Sequence, residues 1–114
     1  MDKTIRRSRA EGSVTAPSSK SYAQRAVAAA LLCEGTSTLT NMILCDDTRA
    51  ALQVAADLGA EVEAGTDGTT YTVRGGLRPH AQAIHIGESG LAARLFTPIA
   101  ALCGERITIT GQGS

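Results

Sequence analysis

Eleven residues, Ala16 to Ala26, hold the groups of this chain best placed for chemistry: Ser18, Ser19, Lys20, Ser21 and Arg25. The two serines precede a long alanine-rich run, the usual way a helix N-terminus is written. The first four backbone N–H groups of such a helix lack intrahelical partners, and its dipole end is positive. Lys20 and Ser21 fall in the first turn, and Arg25, four residues after Ser21, returns to the same face. Hydroxyls, an ammonium and a guanidinium around one helix start suit an anion. The same residues also fit an ordinary capped surface helix with solvated charges. Of eleven basic residues only Lys3 and Lys20 are lysines, the rest being arginines. A compact ammonium in an arginine-using chain can serve two acceptors at once where a planar fork would be bulkier, which favours a site.

The remaining candidates are weaker. Asp46 and Asp47 in Cys45-Asp46-Asp47-Thr48 could do acid–base work or hold a metal. An aspartate cap with a first-turn carboxylate is a sufficient explanation of them. Cys33, Cys45 and Cys103 form no C-x-x-C pair and read as buried reduced thiols of a cytosolic protein. His80 and His85 are isolated and have no metal-ligand spacing, so no metal or cofactor is expected. With 114 residues, zero formal net charge and only Tyr22, Tyr71 and Phe96 as aromatics, the chain is one small domain or part of a larger one. That balance gives nucleic-acid or membrane-surface binding no support. No apolar run reaches membrane-span length, and Met1 to Arg7 lacks the apolar stretch of a signal peptide.

These groups need elements to hold them. Thr4 to Arg9 and Ser13 to Ala16 read as short strands, and Pro17 keeps Ala16 out of the helix that Ser18 or Ser19 caps. Ala26 to Cys33 is apolar at every position, which predicts a helix buried on most faces. Thr36 to Met42 alternates as a strand. A second helix runs from the Cys45–Thr48 start with Ala51, Leu52, Ala55 and Leu58 as its apolar stripe, and Gly59 stops it. Ala60–Ala64 and Thr69–Arg74 flank an Asp67-Gly68 hairpin turn. Ala83–Ile86 is a strand, and Gly87-Glu88-Ser89-Gly90 opens a third helix to about Cys103. Pro98 within it predicts a kink or an irregular first part. Glu105–Thr110 is the last strand. The expected class is α/β (α+β), β-α-β-α-β-β followed by β-α-β, with helices against a mixed sheet. The three helix starts hint at an internal repeat. Thr110 to Ser114 stops in loop chemistry, which suggests a truncated chain.

From about Val14 to Ser114 the sequence resembles the enolpyruvyl transferases, and among them the branch that acts on shikimate 3-phosphate. The resemblance lies in Ser19-Lys20-Ser21 with Arg25-Ala26, Leu39-Thr40-Asn41, Cys45-Asp46-Asp47-Thr48, Leu58-Gly59-Ala60, Gly87-Glu88-Ser89-Gly90 with Arg94, and Thr110-Gly111. It implies transfer of the enolpyruvyl group of phosphoenolpyruvate to the 5-hydroxyl of shikimate 3-phosphate, releasing phosphate, in the cytoplasmic route to aromatic compounds. By motif, Lys20, Ser21 and Arg25 would bind shikimate 3-phosphate, while Lys20 and Gly90 would meet phosphoenolpyruvate. The family turn usually reads Gly-Asn-Ala-Gly-Thr-Ala-Met-Arg-Pro. Here Glu88 replaces Asn, Leu91 replaces Thr, Ala93 replaces Met, and the proline comes later at Pro98. A carboxylate facing a trianion would repel it, so Glu88 is expected to point elsewhere or to pair with an arginine.

The implied fold is two lobes built of β-α-β-α-β-β units. Residues 1–12 would belong with the second lobe, and residues 13–114 would be part of the first. The family's acid–base groups are expected beyond Ser114, so the chain alone is expected not to turn over. The whole enzyme is expected to be a monomer. Two alternatives remain: the UDP-N-acetylglucosamine branch, against which Ser21 and Arg25 argue, and a non-catalytic module that self-associates through an open sheet edge.

Overall fold

A computed structural model describes residues 1–113. Helix α1 spans Lys20–Leu32, strand β1 Thr36–Leu39, helix α2 Asp46–Asp57, and strands β2 and β3 Glu61–Ala64 and Tyr71–Arg74. Strand β4 (Ala83–His85), helix α3 (Gly90–Ala101) and strand β5 (Thr108–Thr110) follow. This is the expected α/β order from α1 onward.

The strands form two sheets rather than one mixed sheet. In the first, β3 lies between β1 and β2, antiparallel to both, with Val73 opposite Ser37 on one side and Val62 on the other. The β2–β3 hairpin closes as Asp67-Gly68 predicted. One Asp67 carboxylate oxygen accepts the Thr69 and Thr70 N–H groups at 2.9 and 2.8 Å. The other takes the Thr70 hydroxyl, and these bonds pull the Asp67 carboxyl down to about 2. In the second sheet β4 and β5 run parallel, Ile84 opposite Ile109, so a crossover must join them, and α3 is that crossover. Three-residue strands leave no span over which the two sheets could merge.

The expected strands at Thr4–Arg9 and Ser13–Ala16 do not form. Met1 to Pro17 is exposed throughout and has no neighbouring strand to complete a ladder, and a strand without a ladder partner leaves its backbone groups to water. The expectation for α1 is also corrected. Val27, Ala28, Ala30 and Leu31 are buried, but Tyr22, Ala29 and Leu32 face outward, because α2, α3 and the sheet cover only one side. The cysteines depart too: Cys33 is exposed, Cys45 and Cys103 are half-buried, and all three are free thiols.

Around the helices the core is mostly aliphatic, with Phe96 and Tyr71 as its aromatic members. Leu31, Val54, Leu58, Val73, Ile84 and Phe96 are each less than 2 % exposed. Gly59 and Gly75 permit two close passages. A side chain on Gly59 (φ 122°) would strike the backbone of Arg78, and one on Gly75 would strike the carbonyls of Ala30 and Cys33 at the end of α1. The chain through Gly75-Gly76 therefore closes against the end of α1, where the Gly76 N–H donates to the Leu31 carbonyl at 2.8 Å. Helix α3 is continuous through Pro98, without the expected irregular first part, and the Thr97 hydroxyl donates to the Ala93 carbonyl at 2.6 Å beside the missing N–H.

Candidate functional site

Ser19, not Ser18, caps α1. Its backbone is extended (φ −78°, ψ 120°), and its hydroxyl accepts the Tyr22 N–H at 3.4 Å. Ser18 instead accepts the Ile43 N–H at 3.1 Å, tying the start of α1 to the segment that leads into α2. Lys20 is then the first helical residue, Ser21 is half-buried beside it, and Arg25 stands exposed one turn on. Arg25 forms no ion pair among the described residues. The three basic and hydroxyl groups singled out from sequence thus share the first turns of one helix.

The Lys20 ammonium meets the Asp47 carboxylate at 2.8 Å. The hydrogen bond to Asp47, and then its charge, raise the Lys20 pKa above the ordinary lysine value. Asp47 is in the first turn of α2, so the contact joins two helix starts. Contrary to expectation, no aspartate caps α2. Cys45 holds that position, its N–H donating to the Thr48 hydroxyl at 2.8 Å. The Thr48 N–H in turn faces the Cys45 sulfur and lowers its thiol pKa. A one-residue slip separates expectation from structure, and both Asp46 and Asp47 stand in the first turn.

Gly90 opens α3 behind the cap residue Ser89, whose hydroxyl accepts the Ala92 N–H at 3.0 Å. Gly87 to Gly90 and Gly111 to Gly113 border a hollow of about 240 Å³. Glu88 lies on its wall, folded against Gly113, with no ion pair among the described residues. Of the two arrangements expected for Glu88, pairing with an arginine is not seen among the described residues. Arg94 curls back instead to donate to the Gly90 carbonyl at 3.3 Å, which puts a guanidinium beside the first turn of α3. A larger cleft, about 480 Å³, lies on another side of α1 between Ser19, Tyr22, Thr38 and Met42, and no charged side chain lines it. The larger cleft thus offers no charge for a polyanion, and the cationic start of α1 is the better candidate.

Two residues join the parts in ways that sequence alone does not indicate. Asp47 is a weak acid–base candidate along the chain, sufficiently explained by the start of α2. Gln24 carries no signal beyond being a polar residue ahead of a long apolar run. Gln24 and Ser89 are buried, and the Ser89 hydroxyl donates to the Gln24 side-chain oxygen at 2.7 Å. The starts of α1, α2 and α3 are therefore linked by side chains, Lys20 to Asp47 and Gln24 to Ser89. Among the described residues no cluster of His, Cys, Asp and Glu could hold a metal, and no helix is long and apolar enough to cross a membrane.

Comparison with known proteins agrees with this arrangement of motifs. The model of the family EPSP synthase (3-phosphoshikimate 1-carboxyvinyltransferase) matches residues 5–114. The 3-phosphoshikimate 1-carboxyvinyltransferase of Methanothermobacter thermautotrophicus is 36% identical, covering 100% of this chain and 27% of its own length. That of Chlamydia caviae is 40% identical over 89% of this chain and 23% of its own. The solved structure of EPSP synthase from Acinetobacter baumannii superposes with a TM-score of 0.73 at 29% identity, over 90% of this chain and 24% of that one. The chain spans about a quarter of the length of the curated relatives it matches. With its helix starts, its hairpin and its Gly-rich turn in the family's order, the chain belongs to the EPSP synthase family.

Proposed function

We propose that this chain is part of an enolpyruvyl transferase that joins phosphoenolpyruvate to the 5-hydroxyl of shikimate 3-phosphate and releases phosphate. The reaction is an addition followed by an elimination. The hydroxyl gives up its proton to a base as its oxygen bonds to C2 of phosphoenolpyruvate, and C3 takes a proton. Phosphate then leaves C2 as a C3 proton is lost, restoring the double bond on the transferred group. Lys20, Ser21 and Arg25 hold shikimate 3-phosphate. Lys20 also faces phosphoenolpyruvate, whose anionic groups reach the bare backbone at Gly90. Asp47 holds the ammonium in place until an anion shares it. In this reading residues 1–12 pair with a second lobe, residues 13–114 are part of the first, and Ser114 lies outside the described residues. The groups that move protons lie on the rest of the enzyme, a cytoplasmic monomer, and this polypeptide by itself does not turn over.

The observation that carries the reading is the placing of Lys20, Ser21 and Arg25 on the opening turns of one helix, with Lys20 anchored by Asp47 at 2.8 Å. Calorimetric titration with shikimate 3-phosphate tests it. Binding by the wild-type chain that Lys20→Ala/Arg25→Ala abolishes is the expected result. Binding that survives the double substitution overturns the assignment of these residues.

A further inference from the structure

Gln24 is 1 % exposed and Ser89 4 %, and they stand 65 residues apart in sequence. The Gln24 amide nitrogen donates to the Lys20 carbonyl at 3.3 Å, and its oxygen accepts from the Ser89 hydroxyl at 2.7 Å. That hydroxyl accepts in turn from the Ala92 N–H at 3.0 Å. The result is one continuous hydrogen-bonded line from the first residue of α1 to the first turn of α3. Apolar side chains of similar volume would pack the same two helices, but without direction. A buried amide whose ends are both engaged cannot turn or slide without leaving a polar group unpaired, so it holds one register between the helices.

We propose that Gln24 is a positioning residue. It sets the spacing and orientation of the helix start that carries Lys20, Ser21 and Arg25 relative to the one that opens at Gly90, so that an anion at either start is felt at the other. The identity of those anions rests on the function proposed above, whereas the linkage rests on the hydrogen bonds alone. Gln24 touches no substrate in this account. It acts through the Lys20 carbonyl and the Ser89 cap.

The test uses the full chain and two variants, Gln24→Met, which keeps volume and helix propensity, and Ser89→Ala. Amide hydrogen exchange is read residue by residue. The expected result is transmission across the link. Gln24→Met should speed exchange at Ala92, and Ser89→Ala should speed it at the α1 amides of Tyr22 and Ala23, each about tenfold more than at Val73 in β3, whose exchange reports the overall loss of stability. The double variant should add little to either single one. A uniform increase at every amide, or none at the far helix, overturns the proposal, because a merely structural contact would behave in that way. If Gln24→Met does not fold, Ser89→Ala read at Tyr22 and Ala23 decides alone.

A second arm titrates shikimate 3-phosphate with and without phosphoenolpyruvate. In the wild type each should tighten the other about fivefold or more, and Gln24→Met should bring that factor to one with the separate affinities nearly unchanged. A wild-type chain that binds neither anion counts against the proposed function, while the exchange pattern still upholds or overturns the linkage.

Discussion

Helices α1 and α3 begin alike and are built differently. Each is capped by a serine in extended backbone conformation, φ −78° and ψ 120° at Ser19, φ −83° and ψ 105° at Ser89. Ser19 is exposed and its cap bond is long at 3.4 Å. Ser89 is buried, its cap bond is 3.0 Å, and it donates a further bond to Gln24. The start of α1 presents cations on long side chains, Lys20 and Arg25. The start of α3 presents a glycine, bare backbone and the carboxylate of Glu88 nearby. The difference teaches that cap chemistry alone decides neither the energy nor the use of a helix start. Burial sets the energy, and the residues of the next turn decide whether side chains or backbone meet a ligand.

The largest expected effect is on stability. Ser89→Ala removes a cap and strands the buried Gln24 oxygen, so it should destabilise the chain by about 2–4 kcal/mol, against about 0.5–1 kcal/mol for Ser19→Ala. Urea unfolding of the two variants measures this, and equal losses would erase the distinction. Next comes Gly90→Ala. The added methyl would meet only the flexible end of Arg94 at 3.3 Å, so folding stability should stay within about 1 kcal/mol of wild type. Under the function proposed above, phosphoenolpyruvate affinity should fall about tenfold, the worth of one charged hydrogen bond, and shikimate 3-phosphate affinity should not. Parallel loss of both ligands would mean that α3 does not act through its backbone.

The contrast extends to thiols. Cys45 caps α2, and the Thr48 N–H lowers its pKa, whereas burial beyond the end of α3 raises that of Cys103. A lower pKa leaves more thiolate at a given pH. Iodoacetamide at pH 7.5, with sites read by mass spectrometry, should therefore label Cys45 about threefold to tenfold faster than Cys103. The Cys45 rate should level off at a lower pH. Glu88→Gln is the smallest effect. Removing an exposed carboxylate from the hollow at α3 should strengthen phosphoenolpyruvate binding by about fivefold at most, and less in high salt. No change at low ionic strength would show that Glu88 lies clear of the ligand.

Much of this was legible along the chain. The Ser-Ser-Lys-Ser start, the Asp67-Gly68 hairpin, the stop at Gly59 and the Ser89 start are local patterns, and each element formed within a few residues of its expected bounds. The failures share a cause. Thr4–Arg9 and Ser13–Ala16 have strand composition but no neighbour to pair with, and pairing is not a local property. The mixed sheet became two sheets because strand order is settled by which edges meet. Cys45 displaced the aspartate cap through one bond to Thr48, a difference smaller than the accuracy of any helix boundary read from sequence.

The sequence by itself determined which residue types stand at each helix start, and so made the first turn of α1 the candidate site for an anion. Its order of motifs also determined the family. Tertiary structure alone decided that Lys20 is held by Asp47 and that Gln24 spans the gap to Ser89. Those partners lie 27 and 65 residues away in sequence. Helix periodicity carries information over a few turns only, whereas a contact between helices depends on how their buried faces pack, and no single segment encodes that.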